Sequence, residues 1–374
     1  MIKKAKENDI GEIMEMYAHS RNIMRSNGNE SQWINGYPTK EALEKDISQG
    51  QSYLIEEDGE NVGTFAFIVG KDPTYSTIEG GHWLNDDKTY GTIHRLACKP
   101  DRHGIAQKCF EWCQQQTESL RIDTHADNTI VQKILKKNNF CYCGIIYVAD
   151  GSPRKAYQKM TYPMVNASLR QYVEKEILPR HDSFDSAHSR DHILTVIANS
   201  MEYSVPYDVD KNMVYTIAAY HDTGVVEGRE HHHTVSGRII REDTNLRQWF
   251  REDEIETIAE AAEDHRASTG KEPRSIYGKI VAEADRDIDK STIITRTLQY
   301  GMSHYPEMSK EALWDRAKRH LAEKYGEEGY ITLWLKAPRN VEALKELRAL
   351  IADEQELRKH FEKSYDLLAD ERSK

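Results

Sequence analysis

Cysteine is scarce in this 374-residue chain, and long apolar runs are missing altogether. The five cysteines, Cys98, Cys109, Cys113, Cys141 and Cys143, all fall within the first 143 residues. None makes a paired C-x-x-C set with zinc spacing, so free thiols are expected here, not disulfides or a zinc ribbon. No stretch approaches the ~18 consecutive apolar residues that span a bilayer. The opening MIKKAKENDIGEIM carries acidic groups where a secretory signal needs an apolar core, which makes the cytosol the expected compartment. Basic charge is short as well: 51 Lys and Arg stand against 62 Asp and Glu, a net charge of −11. That balance argues against broad binding of nucleic acid or of an anionic membrane. Tandem repeats and low-complexity tracts are also lacking.

What is present describes a globular protein, with 38% hydrophobic and 30% charged residues. The length suits two domains, each able to bury a core. The first 160 residues mix two periodicities. ENDIGEIMEMYAHSRNIM reads as an amphipathic helix with Ile10, Ile13, Met14 and Tyr17 on one face. SYLIEEDGENVGTFAFIVG reads as a hairpin turning at Asp58-Gly59. YGTIHRLACKP, LRIDTHA and FCYCGIIYVA are expected strands, the last being the final one; IAQKCFEWCQQQTESL and TIVQKILKKNN are expected helices. The fold class expected for this part is α/β, a mixed sheet with flanking helices. SPRKAYQKMTYPMVN, with Pro153 and Pro163, is expected to be the boundary. Beyond it Val165, Leu169, Val173 and Ile177 repeat every four residues and open an all-α helical bundle. The expected division is 1–160, 166–335 and a C-terminal helical part, 336–374, serving as a packing brace or a homo-oligomer contact.

In the first part, Asp101-Arg102-His103-Gly104-Ile105-Ala106 joins a strand to a helix. Small residues at Gly104 and Ala106 let backbone approach a ligand, and free amides at a helix start hold phosphate oxygens. Alone this is a weak signal. Its setting strengthens it: about twenty residues later Asp127-Asn128 follows the next strand, and a helix then leads to Asn139-Phe140. The order resembles the GNAT N-acetyltransferases, as does Gln32-Trp33-Ile34-Asn35-Gly36-Tyr37-Pro38 between the first two helices. The resemblance implies acetyl-CoA as donor, pyrophosphate on the backbone of Arg102, His103, Gly104, Ile105 and Ala106, and the pantetheine arm on Asn128. An amine substrate would attack the thioester. Two departures stand out: the loop begins with Asp101, and Leu135 sits where the family often has a tyrosine that protonates the leaving thiolate. Tyr147, or solvent, is the substitute. His94 and Glu79 are weak candidates for a general base.

In the second part, ligand-type side chains fall on apolar stripes. His221-Asp222 follows Val214, Ile217 and Ala218; His188 and His192 lead into Ile193, Val196 and Ile197; His265 extends Ile255, Ile258 and Ala262; Asp285 lies between Val281 and Ile288. A buried carboxylate or imidazole is costly unless paired or metal-bound. One such residue is ordinarily a satisfied core polar group; four on four helices point to a divalent ion. A second His-Asp pair, His181-Asp182, has no stripe and is expected at the surface. The pattern resembles the HD superfamily of metal-dependent phosphohydrolases. That resemblance implies His192, His221, Asp222 and Asp285 as metal ligands. A second metal is implied on His265 and on His232 or His233. The ion itself (Mn, Mg, Zn, Ni, Co or Fe), one or two per chain, is not distinguished. Asp222 would bridge the metals or orient water, with His265 beside it. Arg266, Lys279 and Arg286 are candidate contacts for an anionic substrate, and His188 a supporting contact.

Taken together, the expectation is a bifunctional cytosolic enzyme acting on a small-molecule amine and a phosphate ester or nucleotide. Two alternatives stay open. One half is a regulatory acetyl-CoA sensor, or the helical half is a di-iron oxygenase. Thr223-Gly224-Val225-Val226 after the His-Asp pair lacks an H-D-x-x-E-D extension, which disfavours guanosine-tetraphosphate hydrolysis.

Overall fold

Side-chain alternation and turn chemistry build the first half of the molecule outward from one hairpin. In the computed structural model, which describes residues 1–86, 89–266, 270–286 and 288–372, strands β2 (Ser52–Glu57) and β3 (Glu60–Val69) flank Asp58 and Gly59. Both turn residues have positive φ, 50° and 81°, as a two-residue hairpin turn requires. Leu54 and Ile55 point to opposite faces. Leu54 packs with Ile13, Met16, Tyr17 and Leu43 of helices α1 (Ile10–Ser26) and α2 (Lys40–Ser48). Ile55 packs with Cys109 and Phe110 of α3 (Ile105–Gln114) and Leu135 of α4 (Thr129–Lys137). The sheet thus lies between two helical layers, and β3 is buried along most of its length.

Strands β1 (Ile2–Lys4), β4 (Gly91–Cys98), β5 (Ser119–Thr124), β6 (Cys141–Tyr147) and β7 (Pro153–Met160) complete the order β1-β2-β3-β4-β5-β7-β6. All neighbours are antiparallel except β4 and β5, whose parallel ladder comprises Gly91↔Leu120 and Thr92↔Arg121. Arg95 (φ 54°) marks an irregularity in the β4 register just beyond. The sequence reading misses β7: the stretch expected to be the boundary between domains instead forms a strand inside the sheet, between β5 and β6. It escapes a hydropathy reading because its buried positions include Gln158 and Lys159, and Gln158 is satisfied by Ser119 Oγ and the Asn85 carbonyl, each at 2.9 Å. All five cysteines are free, and four are buried.

The chain divides into two compact units, Met1–Pro163 and Met164–Lys374. In the second, Val165, Leu169, Val173 and Ile177 are all buried, on α5 (Ala167–Tyr172) and a following π-helical turn, Val173–Ile177. A 3₁₀ segment, Leu178–Ser183, then corrects another expectation. His181 is wholly buried, with Nε2 3.3 Å from the Ala219 carbonyl, because the turn aligns it with Leu178. Asp182 pairs with Arg190 at 2.5 Å. Helices α6 (Arg190–Tyr203), α7 (Lys211–Tyr220), α8 (His232–Glu242), α9 (Glu252–Glu263) and α10 (Ile276–Ala284) surround the candidate site. Helices α11 (Lys290–His304), α12 (Lys310–Tyr325), α13 (Pro338–Ala352) and α14 (Glu354–Arg372) share a core through Leu298, Trp314, Leu347 and Phe361. Among the described residues no helix is long and apolar enough to cross a membrane.

Candidate functional site

Three helices end at one point. α7 stops just before His221-Asp222, α9 just before Asp264-His265, and α10 just before Asp285. Last-turn carbonyls have no intrahelical donor, and imidazoles three residues on take them up. His221 Nδ1 donates to the Ala218 carbonyl at 2.8 Å and His265 Nδ1 to that of Ala262 at 2.6 Å. His232, at the start of α8, makes the same contact with Arg229 at 2.8 Å. With Nδ1–H engaged, each neutral ring turns a bare Nε2 lone pair inward. Three negative helix ends meeting there favour a cation.

Asp222, 2% exposed, is the hub. Its Oδ2 lies 3.2 Å from His221 Nε2 and 3.5 Å from His192 Nε2. Its Oδ1 lies 3.3 Å from His232 Nε2 and 3.4 Å from His265 Nε2. Asp285 Oδ1 is 3.2 Å from His192 Nε2 and 3.8 Å from His221 Nε2. One carboxylate therefore faces a different pair of imidazoles with each oxygen. His192 comes from the first turn of α6, so the expected ligands converge from separate segments of the chain.

The electrostatics call for positive charge. Burial lowers the pKa of His221, but Asp222 and Asp285 outweigh it and push the ring up to about 10. Burial raises both carboxyls, yet the facing imidazoles hold them well below the usual carboxylate range. His221 Nε2 is buried without a hydrogen bond. His232 Nε2 and His265 Nε2 are 3.1 Å apart, a separation at which two bare lone pairs repel unless a proton or metal lies between them. His192, His221 and Asp285 form one set with donor atoms within 4.8 Å of one another, and His221, Asp222 and His265 form another. Nitrogen and carboxylate donors of this kind suit a borderline divalent ion.

The cluster opens into a cavity of about 850 Å³. Arg266 and Arg286 line it, as expected, and so does His188, whose Nδ1 is 3.0 Å from Asp185. Arg266 donates to the Glu230 carbonyl. Lys279 is drawn away, into a 2.6 Å pair with Glu272. Within the histidine triplet His232 faces the cluster, while His231 is exposed. Missed altogether was the wall supplied by α11 and α12, with Arg296, Arg316 and Lys324. It carries no motif, and charges on a helix ordinarily read as a solvated face.

In the first unit, Gly104 caps α3 with φ 75°, and a Cβ placed there would meet nothing within 4 Å. Ile105 turns into the core, leaving only its backbone for a ligand, and Ala106 is half-buried. Arg102 pairs with Glu60, and His103 is exposed. Asn128 caps α4: its Oδ1 accepts from Val131 N at 3.2 Å and its Nδ2 donates to Gln32 at 2.9 Å. This joins the loop after β5 to the Gln32–Pro38 segment, as does the 3.1 Å contact of Ser31 Oγ with His125 Nε2. Leu135 is fully buried. Tyr147 is exposed and donates to Glu79 at 3.1 Å, and that hydrogen bond raises its pKa above the ordinary 10. His94 Nε2 lies 3.3 Å from Asp72.

A family model described as the HD domain matches residues 190–287. Among solved structures, a GNAT-family acetyltransferase from Streptococcus agalactiae is 33% identical over 43% of this chain and 95% of its own, with a TM-score of 0.41. One from Listeria monocytogenes is 16% identical over 43% of this chain and 94% of its own, with a TM-score of 0.34. No curated protein matches the chain. The HD match thus falls on the helical unit, and the N-terminal part of the chain is a mixed sheet with flanking helices.

Proposed function

We propose that the chain is a bifunctional enzyme: an acetyl-CoA-dependent N-acetyltransferase over residues 1–160, joined to a metal-dependent phosphohydrolase over residues 166–335. The observation that carries the second activity is Asp222, whose two oxygens face two separate pairs of imidazoles. His192, His221, Asp222 and Asp285 would hold one divalent ion, and His232, His265 and the second oxygen of Asp222 another. Such ions, when bound, acidify a coordinated water and polarise a phosphoryl oxygen. The chain's own contribution is orientation. Backbone carbonyls fix three ring tautomers before substrate arrives. Arg266 and Arg286 border the cavity at the cluster and would balance the phosphoryl charge.

For the transferase, free amides beginning at Gly104 would bind the pyrophosphate, and Asn128 would position the pantetheine arm. The amine nitrogen forms a bond to the acetyl carbon as the carbon–sulfur bond breaks, and the thiolate takes a proton. Tyr147, whose hydroxyl donates to Glu79, is the proposed donor.

Metal content per chain, with melting temperature before and after chelator, tests the first assignment. Wild type is expected to hold one or two ions and to lose several degrees on chelation. Asp285→Ala and Asp222→Asn should hold less metal and respond less to chelator. Full retention in Asp285→Ala would sink the ligand assignment. Two irons with a charge-transfer absorption would turn the reading toward oxygen chemistry. For the transferase, Gly104→Glu puts a negative side chain in the phosphate cradle and should abolish acetyl-CoA binding. Unchanged affinity would remove the loop from the site.

A further inference from the structure

The cavity's other wall is built by two helical stripes beyond the stretch matched by the HD model. Arg296, Tyr300 and His304 follow one another at four-residue spacing on α11, and Arg316, His320 and Lys324 do so on α12. Such spacing puts each set on a single helix face. Both faces line the cavity that begins at His192, Asp222 and Asp285.

Elsewhere in this unit, partly buried arginines have carboxylate partners. Arg241 binds Glu256 and Glu263; Arg274 binds Glu260, Glu263 and Asp264; Arg358 binds Glu311 and Glu362. The cavity cations differ. Among the described residues, Arg286, Arg296, Arg316 and Lys324 pair with no carboxylate, although the chain carries eleven excess negative charges. Arg286, 8% exposed, donates through Nη1 to the Ala282 carbonyl but has a buried Nε without a hydrogen bond. Arg316 donates to the Thr297 carbonyl at 3.4 Å, and its guanidinium lies 5.0 Å from the Tyr300 ring centre and 5.4 Å from that of Tyr305. The field is felt locally: burial, then Lys324 and Arg316, lowers the pKa of His320. Half-buried cations that lack a carboxylate partner are costly unless an anion arrives to pair with them.

We propose that this wall is a second anion site, so that the enzyme takes phosphate esters carrying a second anionic group, a phosphate or a carboxylate, apart from the scissile one. This rests on reading the His/Asp cluster as the site of the scissile phosphate. A cavity of about 850 Å³ has room for both groups and the carbon frame between them. Tyr300 lines the same cavity, its ring stacked on His304 at 3.9 Å. Arginine is suited to the second group because its planar fork meets an oxyanion with two donors.

The test uses the full-length, manganese-loaded chain and matched probes: propyl phosphate against propane-1,3-diol bisphosphate, and hexyl phosphate against hexane-1,6-diol bisphosphate. Two equivalent ends alone give a bisphosphate a factor of about two in affinity, so a real second site must exceed that. By calorimetry at fixed salt, at least one bisphosphate should bind about tenfold or more tighter than its monophosphate. The double variant Arg296→Gln/Arg316→Gln should erase that difference and leave monophosphate affinity nearly unchanged. Lys324→Met, which keeps the apolar stem, should reduce the preference in a chain with wild-type melting temperature. Equal affinity for both members of each pair in wild type, or a preference that survives both variants, would overturn the proposal. Phosphate release is read in parallel. Preference without release from any probe keeps the second site and defeats the hydrolytic assignment, whereas release without preference does the reverse.

Discussion

At the scale of single residues, the hydrogen-bond partner decides more than residue type. Three histidines of this chain, His192, His221 and His265, became legible as ligands because apolar stripes led to them, and His181 did not, because its burial comes from a 3₁₀ turn that no helical or strand period announces. Asp243 shows the same dependence on partners away from the site. Burial would raise its pKa, yet hydroxyls of Tyr172 and Tyr220, each at 2.6 Å, outweigh that and lower it below the ordinary 3.8. A carboxyl depressed in the folded state stabilises above its unfolded pKa, and that contribution is lost as pH falls through the folded value. Stability of the helical unit should therefore drop below about pH 4 in wild type, and less steeply in Asp243→Asn. At pH 7 the variant should be less stable by about 1–3 kcal/mol, having exchanged a charged acceptor for a neutral one. Urea unfolding at pH 3.5, 5 and 7 measures both effects, and parallel pH profiles for the two proteins would refute the assignment.

At the scale of elements, the site is made by where helices stop. The expectation put ligands on helix faces, and three of the four segments instead carry theirs at or just past a C-terminus, where unpaired carbonyls fix the rings. Periodicity reveals the stripe but not the stop, which depends on packing against other helices. Gly224 is one such packing point. A Cβ there would lie 2.0 Å from the His232 carbonyl and 2.6 Å from Ser236 N, both backbone atoms of α8. Gly224→Ala must displace the start of α8 and with it His232. Overpacking of this kind costs about 1–3 kcal/mol, and the variant should bind the second metal ion more weakly than the first. Metal titration followed by melting temperature would show it; unchanged affinity at both sites would mean that α8 does not position a ligand. A different contact steadies Asp285: the buried Glu283 carboxylate accepts from Ala337 N at 3.2 Å and Leu335 N at 3.3 Å, tying α10 to the approach to α13. The C-terminal helices thus bear on the site as well as on the core they share.

At the scale of the whole molecule, each of the two compact units has a core of its own. The sheet of the first unit closes around Phe65, Phe110 and Leu120, and the helices of the second have a core through Leu298, Leu347 and Phe361. The change from mixed to purely helical periodicity was readable near Val165, but the polar strand β7 was not, since its Gln158 and Lys159 look like solvent residues until the sheet supplies their partners. Domains with separate cores unfold as separate units when little couples them. A ligand that binds only the folded form raises the transition of its own unit, by about 2.7 kcal/mol at a hundredfold excess over Kd. Scanning calorimetry of the intact chain should therefore resolve two transitions. Chelator should lower one of them and leave the other in place, while acetyl-CoA should raise the one that chelator spares. Asp285→Ala should shift only the chelator-sensitive transition, and Gly104→Glu should remove only the response to acetyl-CoA. A single transition that answers to both ligands would mean that the two sites share one cooperative body, and the assignment of one activity to each unit would have to be given up.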